Sequence, residues 1–138
     1  MNYIIIGDSL IEKYEHHSVV CYPGMTLEYF VSSANIYIDN LYENDNIEHI
    51  ICFGINDLSS GIPEDEVIEN YAIIIKKITN CNLILPPLQT DIFYEKCLKA
   101  LDCTFITSFI CDYNTNDGLH PNIDTLTELK KDIEKDIK

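Results

Sequence analysis

The residues of this chain that can do chemistry fall into four short blocks. They are Gly7-Asp8-Ser9-Leu10, Pro23-Gly24-Met25-Thr26, Gly54-Ile55-Asn56-Asp57 and Asp117-Gly118-Leu119-His120-Pro121. Together they hold a nucleophile, a base and an orienting group. The Ser9 hydroxyl is too weakly acidic to attack a carbonyl unaided, so a base must take its proton. The imidazole of His120 is the side chain suited to that work. Asp117, three residues earlier, can bind the second ring nitrogen and fix the tautomer. The oxygen that gains charge during attack needs donors, and the N–H groups of Ser9 and Gly24 with the Asn56 amide can supply them. Losing one such donor typically costs about 2.7–4 kcal/mol of transition-state stabilisation. Gly24 suits the task because bare backbone allows close approach. Asp8 and Asp57 are expected to support this set, Asp8 by orienting the turn and Asp57 as a turn former or local cap.

Each block also has a plain structural use. Ser9 can cap the helix after the first strand. Gly24 can serve a type II turn after Pro23, a role compatible with the catalytic one. His120 can be a surface histidine before a helix start. The four blocks together favour the chemical reading over these separate ones.

The elements that must position the blocks alternate strand with helix. Apolar runs ended by Gly or Pro predict strands over Tyr3–Ile6, Ser18–Tyr22, Glu48–Phe53, Asn82–Leu85 and Cys103–Thr107. Helical spacing of Leu27, Phe30, Val31, Ala34, Ile38 and Leu41 predicts a helix over Thr26–Tyr42, with Thr26 as N-cap. A second helix opens at Pro63 with acids in its first turn and a stripe of Val67, Tyr71, Ile74, Ile75 and Ile78. Two more are expected over Asp91–Leu101 and from near Pro121 through Ile123, Leu126, Leu129, Ile133 and Ile137. Such alternation predicts a five-stranded parallel sheet in flavodoxin-like order 2-1-3-4-5, covered on both faces as a three-layer α/β/α sandwich. In that architecture the ligand crevice lies at the carboxyl ends of the strands. Each block follows a predicted strand, so all four should meet there. The thirteen residues from Ser108 to His120 are long enough to bring the imidazole back across two strands.

These four blocks, in this order, resemble the SGNH hydrolases, also called GDSL esterases and lipases. The name residues of that family map onto Ser9, Gly24, Asn56 and His120, and its third triad member onto Asp117. The resemblance spans the whole chain as one domain over residues 1–138. It implies metal-free, cofactor-free hydrolysis of acyl esters or thioesters through an acyl-enzyme, and it leaves a homodimer open. The chain is short for this family. Trimmed loops predict a shallow, open cleft and favour short acyl groups such as acetyl over long lipid chains.

Composition narrows the partners. Nine basic residues, all Lys, stand against 23 acidic ones, for a net charge of −14. Such a surface argues against nucleic acid and against docking on anionic membranes. It also disfavours polyanionic substrates. At the N-terminus there is no basic segment followed by a long apolar stretch, so neither a secretory signal nor a membrane span is expected. The six Cys at 21, 52, 81, 97, 103 and 111 show no C-x-x-C pair or metal-ligand spacing. They are expected as small buried hydrophobes in a reducing, cytoplasmic setting. His16, His17 and His49 are expected at the surface, and the tyrosines at 29, 37, 42, 71 and 94 in the core or at its boundary.

Two other function classes fit parts of the pattern. One is a catalytically silent module that keeps the fold and acts through a protein partner. The other is a receiver-like phosphoacceptor using Asp8 and Asp57 with Mg²⁺. The absence of a second acid after strand 1, and of a Lys close after strand 5, counts against the latter.

Overall fold

The computed structural model describes residues 2–33, 47–111 and 113–136. Its strands are β1 (Tyr3–Gly7), β2 (Val19–Cys21), β3 (Glu48–Cys52), β4 (Cys81–Ile84) and β5 (Thr104–Ile106). They form one sheet in the order β2-β1-β3-β4-β5, as expected. Every pairing is parallel, and β1 lies on β3 from Tyr3 opposite Glu48 to Gly7 opposite Cys52.

Alternation along the strands separates two cores. Ile6, Ile51, Phe53, Leu83 and Leu85 face one side. There they meet α1 (Leu27–Ser32), α3 (Glu64–Lys77) and α4 (Asp91–Ala100) through Phe30, Tyr71, Ile74 and Phe93. Tyr3, Ile5, Ile50, Cys52, Ile84 and Ile106 face the other side. That side is covered by the 3₁₀ turn Ser9–Ile11, by α5 (Ser108–Cys111) and by α6 (Ile123–Asp136), with Phe109, Leu126, Leu129 and Ile133 packed inward. A short α2 (Ile55–Ser59) follows β3 directly.

Local chemistry explains the helix ends. Thr26 and Thr90 cap α1 and α4, their side chains accepting from Tyr29 N–H and Phe93 N–H. Acids open α3 at Glu64–Glu66, and Lys76 and Lys77 close it, each matching the helix dipole. Gly54 sits at φ +122°, and a Cβ there would stand 2.1 Å from the Tyr71 hydroxyl. Only glycine lets Tyr71 reach the Phe53 carbonyl at 2.6 Å, and this bond ties α3 to the start of α2.

Several expectations need correction. The described part of α1 ends at Ser32, and the stripe positions Ala34, Ile38 and Leu41 lie outside the described residues, as do Tyr37 and Tyr42. Two short helices, α2 and α5, come without a predicted counterpart, being too brief for a periodic signal. The last helix begins at Ile123, where the Asn122 side chain accepts from Thr125 N–H. His49 is fully buried rather than at the surface, with Nδ1 2.8 Å from the Thr79 carbonyl. His16 is half-buried and stacks on Tyr3. Tyr29, by contrast, is 56% exposed, since it follows the buried Leu27 by only two helical positions. Cys52 and Cys97 are buried, whereas Cys111 is exposed. Among the described residues no helix is long and apolar enough to cross a membrane.

Candidate active site

Ser9 stands on the first turn after β1. Asp8, in extended conformation, caps that turn: its Oδ1 accepts from Leu10 N–H at 3.0 Å. The cap is therefore Asp8 and not Ser9, which leaves the serine hydroxyl unspent. Neighbouring strands anchor the turn. Asp8 N–H donates to the Cys52 carbonyl at 3.1 Å, and the Cys21 thiol donates to the Asp8 carbonyl at 3.2 Å. Asp8 is completely buried, and its Oδ2 has no hydrogen-bond partner. Burial is the main reason its carboxyl is pushed up from 3.8 to about 7. The Leu10 N–H opposes that rise and the nearby Asp57 adds to it.

His120 arrives on a loop that fastens to itself and to α6. Thr125 Oγ accepts from Asn114 N–H at 2.7 Å and donates to the Asn114 carbonyl at 2.9 Å. Asn122 N–H donates to the same carbonyl at 2.8 Å, and Tyr113 donates to the Leu119 carbonyl. Asp117 Oδ1 accepts from the N–H groups of Leu119 (2.9 Å) and His120 (2.7 Å). Its Oδ2 lies 2.6 Å from His120 Nδ1. The opposite ring nitrogen, Nε2, lies 3.1 Å from Ser9 Oγ. First the Leu119 N–H, then the His120 ring and N–H, hold the Asp117 carboxyl well below the usual carboxylate range. An ionised Asp117 accepts Nδ1–H, so Nε2 presents its lone pair to the serine.

The remaining candidates meet one loop away. Pro23 and Gly24 occupy the centre of a turn closed by Met25 N–H on the Tyr22 carbonyl at 3.1 Å. Gly24 has φ +78°, the value a type II turn requires at that position. Asn56, in the first turn of α2, donates from Nδ2 to the Met25 carbonyl at 3.1 Å. One amide hydrogen thus holds the Gly24 loop, and the other is left for a ligand.

Asp57 departs from expectation. It is fully buried, and its two oxygens accept from Leu27 N–H (2.6 Å) and Glu28 N–H (3.0 Å). Rather than capping its own turn, it clamps the N-terminus of α1, thirty positions away. No local signal in Gly54-Ile55-Asn56-Asp57 reveals a partner so remote. Both Asp57 oxygens and one Asp8 oxygen are taken by backbone N–H groups, which disfavours the cation site of a phosphoacceptor. Among the described residues no group of His, Cys, Asp or Glu is placed to hold a metal ion.

The structure thus joins Ser9, His120 and Asp117 in one hydrogen-bonded line, and Gly24, Asn56 and Asp57 in a second assembly through α1. Both lie at the carboxyl edge of the sheet. Beside Ser9 and His120 opens a cavity of about 710 Å³, walled by residues 12–15 and the start of α6. Short loops predict only a shallow cleft. The cavity lies in the gap between the 3₁₀ turn and α6, a separation that sequence spacing does not encode.

No family model matches the sequence, and no curated protein matches it. Solved structures do. A member of the lipolytic G-D-S-L family from Veillonella parvula superposes with a TM-score of 0.73 at 13% identity, over 99% of this chain and 98% of that one. The psychrotrophic esterase EstA from Pseudoalteromonas sp. gives 0.67 at 18% identity, over 99% and 97%. An acetylxylan esterase from Geobacillus stearothermophilus gives 0.69 at 12% identity, over 99% and 93%. Sheet order, parallel pairing and near-complete coverage agree on one conclusion: the chain has the SGNH-hydrolase fold, the fold of the G-D-S-L esterases.

Proposed function

We propose that this chain is a serine hydrolase of the SGNH type, a single domain over residues 1–138 that cleaves small acyl esters or thioesters of the acetyl class. The observation that carries the reading is the line from Ser9 Oγ through His120 to Asp117, at 3.1 and 2.6 Å. Distances of this size are those a proton needs to pass from serine to imidazole.

The mechanism follows from the arrangement. Ser9 Oγ attacks the acyl carbon while its proton moves to His120 Nε2. Asp117 keeps the ring in the productive tautomer and offsets the charge of the imidazolium. The developing oxyanion is received by Ser9 N–H, Gly24 N–H and the second hydrogen of the Asn56 amide. His120 then gives the proton to the departing alcohol or thiol, leaving an acyl-serine. A water enters, His120 takes its proton, and collapse of the second intermediate frees the carboxylic acid and restores Ser9. Asp8 and Asp57 position this machinery, one beneath the serine turn and the other at the α1 N-terminus beside the Gly24 loop.

A panel of short-chain acyl esters and thioesters, run on wild type beside Ser9→Ala, tests the proposal. Turnover in the wild type and none above background in the variant is expected. Hydrolysis retained in folded Ser9→Ala would overturn it.

A further inference from the structure

Asp117 and His120 ride on a loop whose crest packs on little: Asn116, Asp117, Gly118 and Leu119 are all exposed. The loop is fastened from within. Gly118 N–H donates to Thr115 Oγ at 3.0 Å, and Asp117 takes the N–H groups of Leu119 and His120. Its two feet are joined by an antiparallel bridge between Thr115 and Pro121 and by Asn122 N–H on the Asn114 carbonyl. These bonds make the loop one piece, so the position of the imidazole is set at the feet. That position is exacting. His120 Nε2 lies 3.1 Å from Ser9 Oγ, and a further displacement of about 1 Å takes such a pair out of hydrogen-bond range.

At the feet stands Thr125, in the first turn of α6 and 1% exposed. Its hydroxyl accepts from Asn114 N–H at 2.7 Å and donates to the Asn114 carbonyl at 2.9 Å. One side chain thus engages both backbone groups of a residue eleven positions earlier. A threonine in a helix ordinarily turns its hydroxyl back to its own helix. Thr127 does so, donating to the Ile123 carbonyl at 2.7 Å. Nor does α6 need the Thr125 hydroxyl as a cap, because Asn122 Oδ1 accepts from Thr125 N–H at 3.1 Å. The hydroxyl is spent on the loop and not on the helix.

We infer that Thr125 is a positioning residue for the reaction: through the Asn114 backbone, its hydroxyl sets the His120 imidazole against Ser9. The inference rests on the hydrolase reading above and adds to it a residue that touches neither substrate nor the reacting atoms.

Two comparisons isolate the hydroxyl. Wild type against Thr125→Val replaces it by a methyl group in the same branched shape. Thr125→Ser against Thr125→Ala removes it without the branch, so the test stands even where Thr125→Val fails to fold. Rates on a short-chain acyl ester would be expressed per folded molecule, with urea denaturation giving the folded fraction. Thr125→Val and Thr125→Ala should each lower kcat by about tenfold or more, because a small misplacement of a catalytic group is costly. KM should stay within about twofold. Thr125→Ser should recover most of what Thr125→Ala loses, and labelling of Ser9 by a fluorophosphonate should slow in parallel with kcat. A hydroxyl-free variant with kcat within about twofold of wild type, a loss that falls on KM, or a Thr125→Ser as slow as Thr125→Ala would overturn the inference and leave the hydrolase reading intact. Wild-type protein that neither turns over the ester nor takes the label would instead sink that reading, and the positioning role with it.

Discussion

At the scale of single residues, the account turns on which polar atoms are spent and which are free. Asp8 takes the capping role that a serine after a strand often fills, so Ser9 Oγ is left to meet His120 Nε2 at 3.1 Å. Asn56 spends one amide hydrogen on the Met25 carbonyl and keeps the other. Asn56→Ala should therefore lower kcat by about 10²–10³-fold, the usual consequence of losing an oxyanion donor. Steady-state kinetics on a short acyl ester would check this, and a change confined to KM would contradict it. Ser9, Gly24, Asn56, Asp117 and His120 stood out as candidates because their residue types follow predicted strands. The spending of their hydrogen bonds was not legible, since partners such as Met25 and Asn56 lie thirty-one positions apart.

At the scale of elements, short turns do the positioning, and one of them carries a cost. Burying Asp8 beneath the serine turn pushes its carboxyl from 3.8 to about 7. The folded chain therefore holds that proton more tightly than the unfolded one. Stability contributed by this group is full at acid pH, falls as pH rises from about 4, and is lost above about 7. Raising the carboxyl from 3.8 to about 7 corresponds to roughly 4 kcal/mol as an upper bound. Asp8→Asn keeps an oxygen for Leu10 N–H and removes the charge. Urea denaturation should find this variant more stable than wild type at alkaline pH and close to it at about pH 4 and below. No gain at alkaline pH would mean that Asp8 is not the source of strain. The strands and the helices α3, α4 and α6 were legible from periodicity. The α2 and α5 turns were not, because one turn of helix carries no repeat. The Asp57 clamp on α1 was hidden for another reason: it is a contact between elements, and no motif of either element announces it.

At the scale of the whole molecule, topology and charge matter most. The order β2-β1-β3-β4-β5 places β1 and β3 side by side, so the blocks that follow them share one rim. The chain returning from β5 then brings His120 back to Ser9. The strand order followed from alternation of strand and helix, and the structure bears that order out; the return of His120 needed the length of the Ser108–His120 connection as well. The cavity beside α6 followed from neither, since it depends on how far a helix stands off from a turn. A net charge of −14 surrounds the site. For substrates sharing one acyl group, kcat/KM should be lower with an anionic leaving group than with a neutral one. Added salt should narrow that gap by shortening the range of repulsion. A gap that does not respond to ionic strength would show that local contacts, not the overall field, set the preference.

The central claim is that His120 activates Ser9. Labelling by a fluorophosphonate, with the modified peptide identified by mass spectrometry, reads this directly. The account predicts one label, on Ser9, that nearly vanishes in His120→Ala. Folded wild-type protein that stays unlabelled at about pH 8, or that carries the label on another residue, would contradict it.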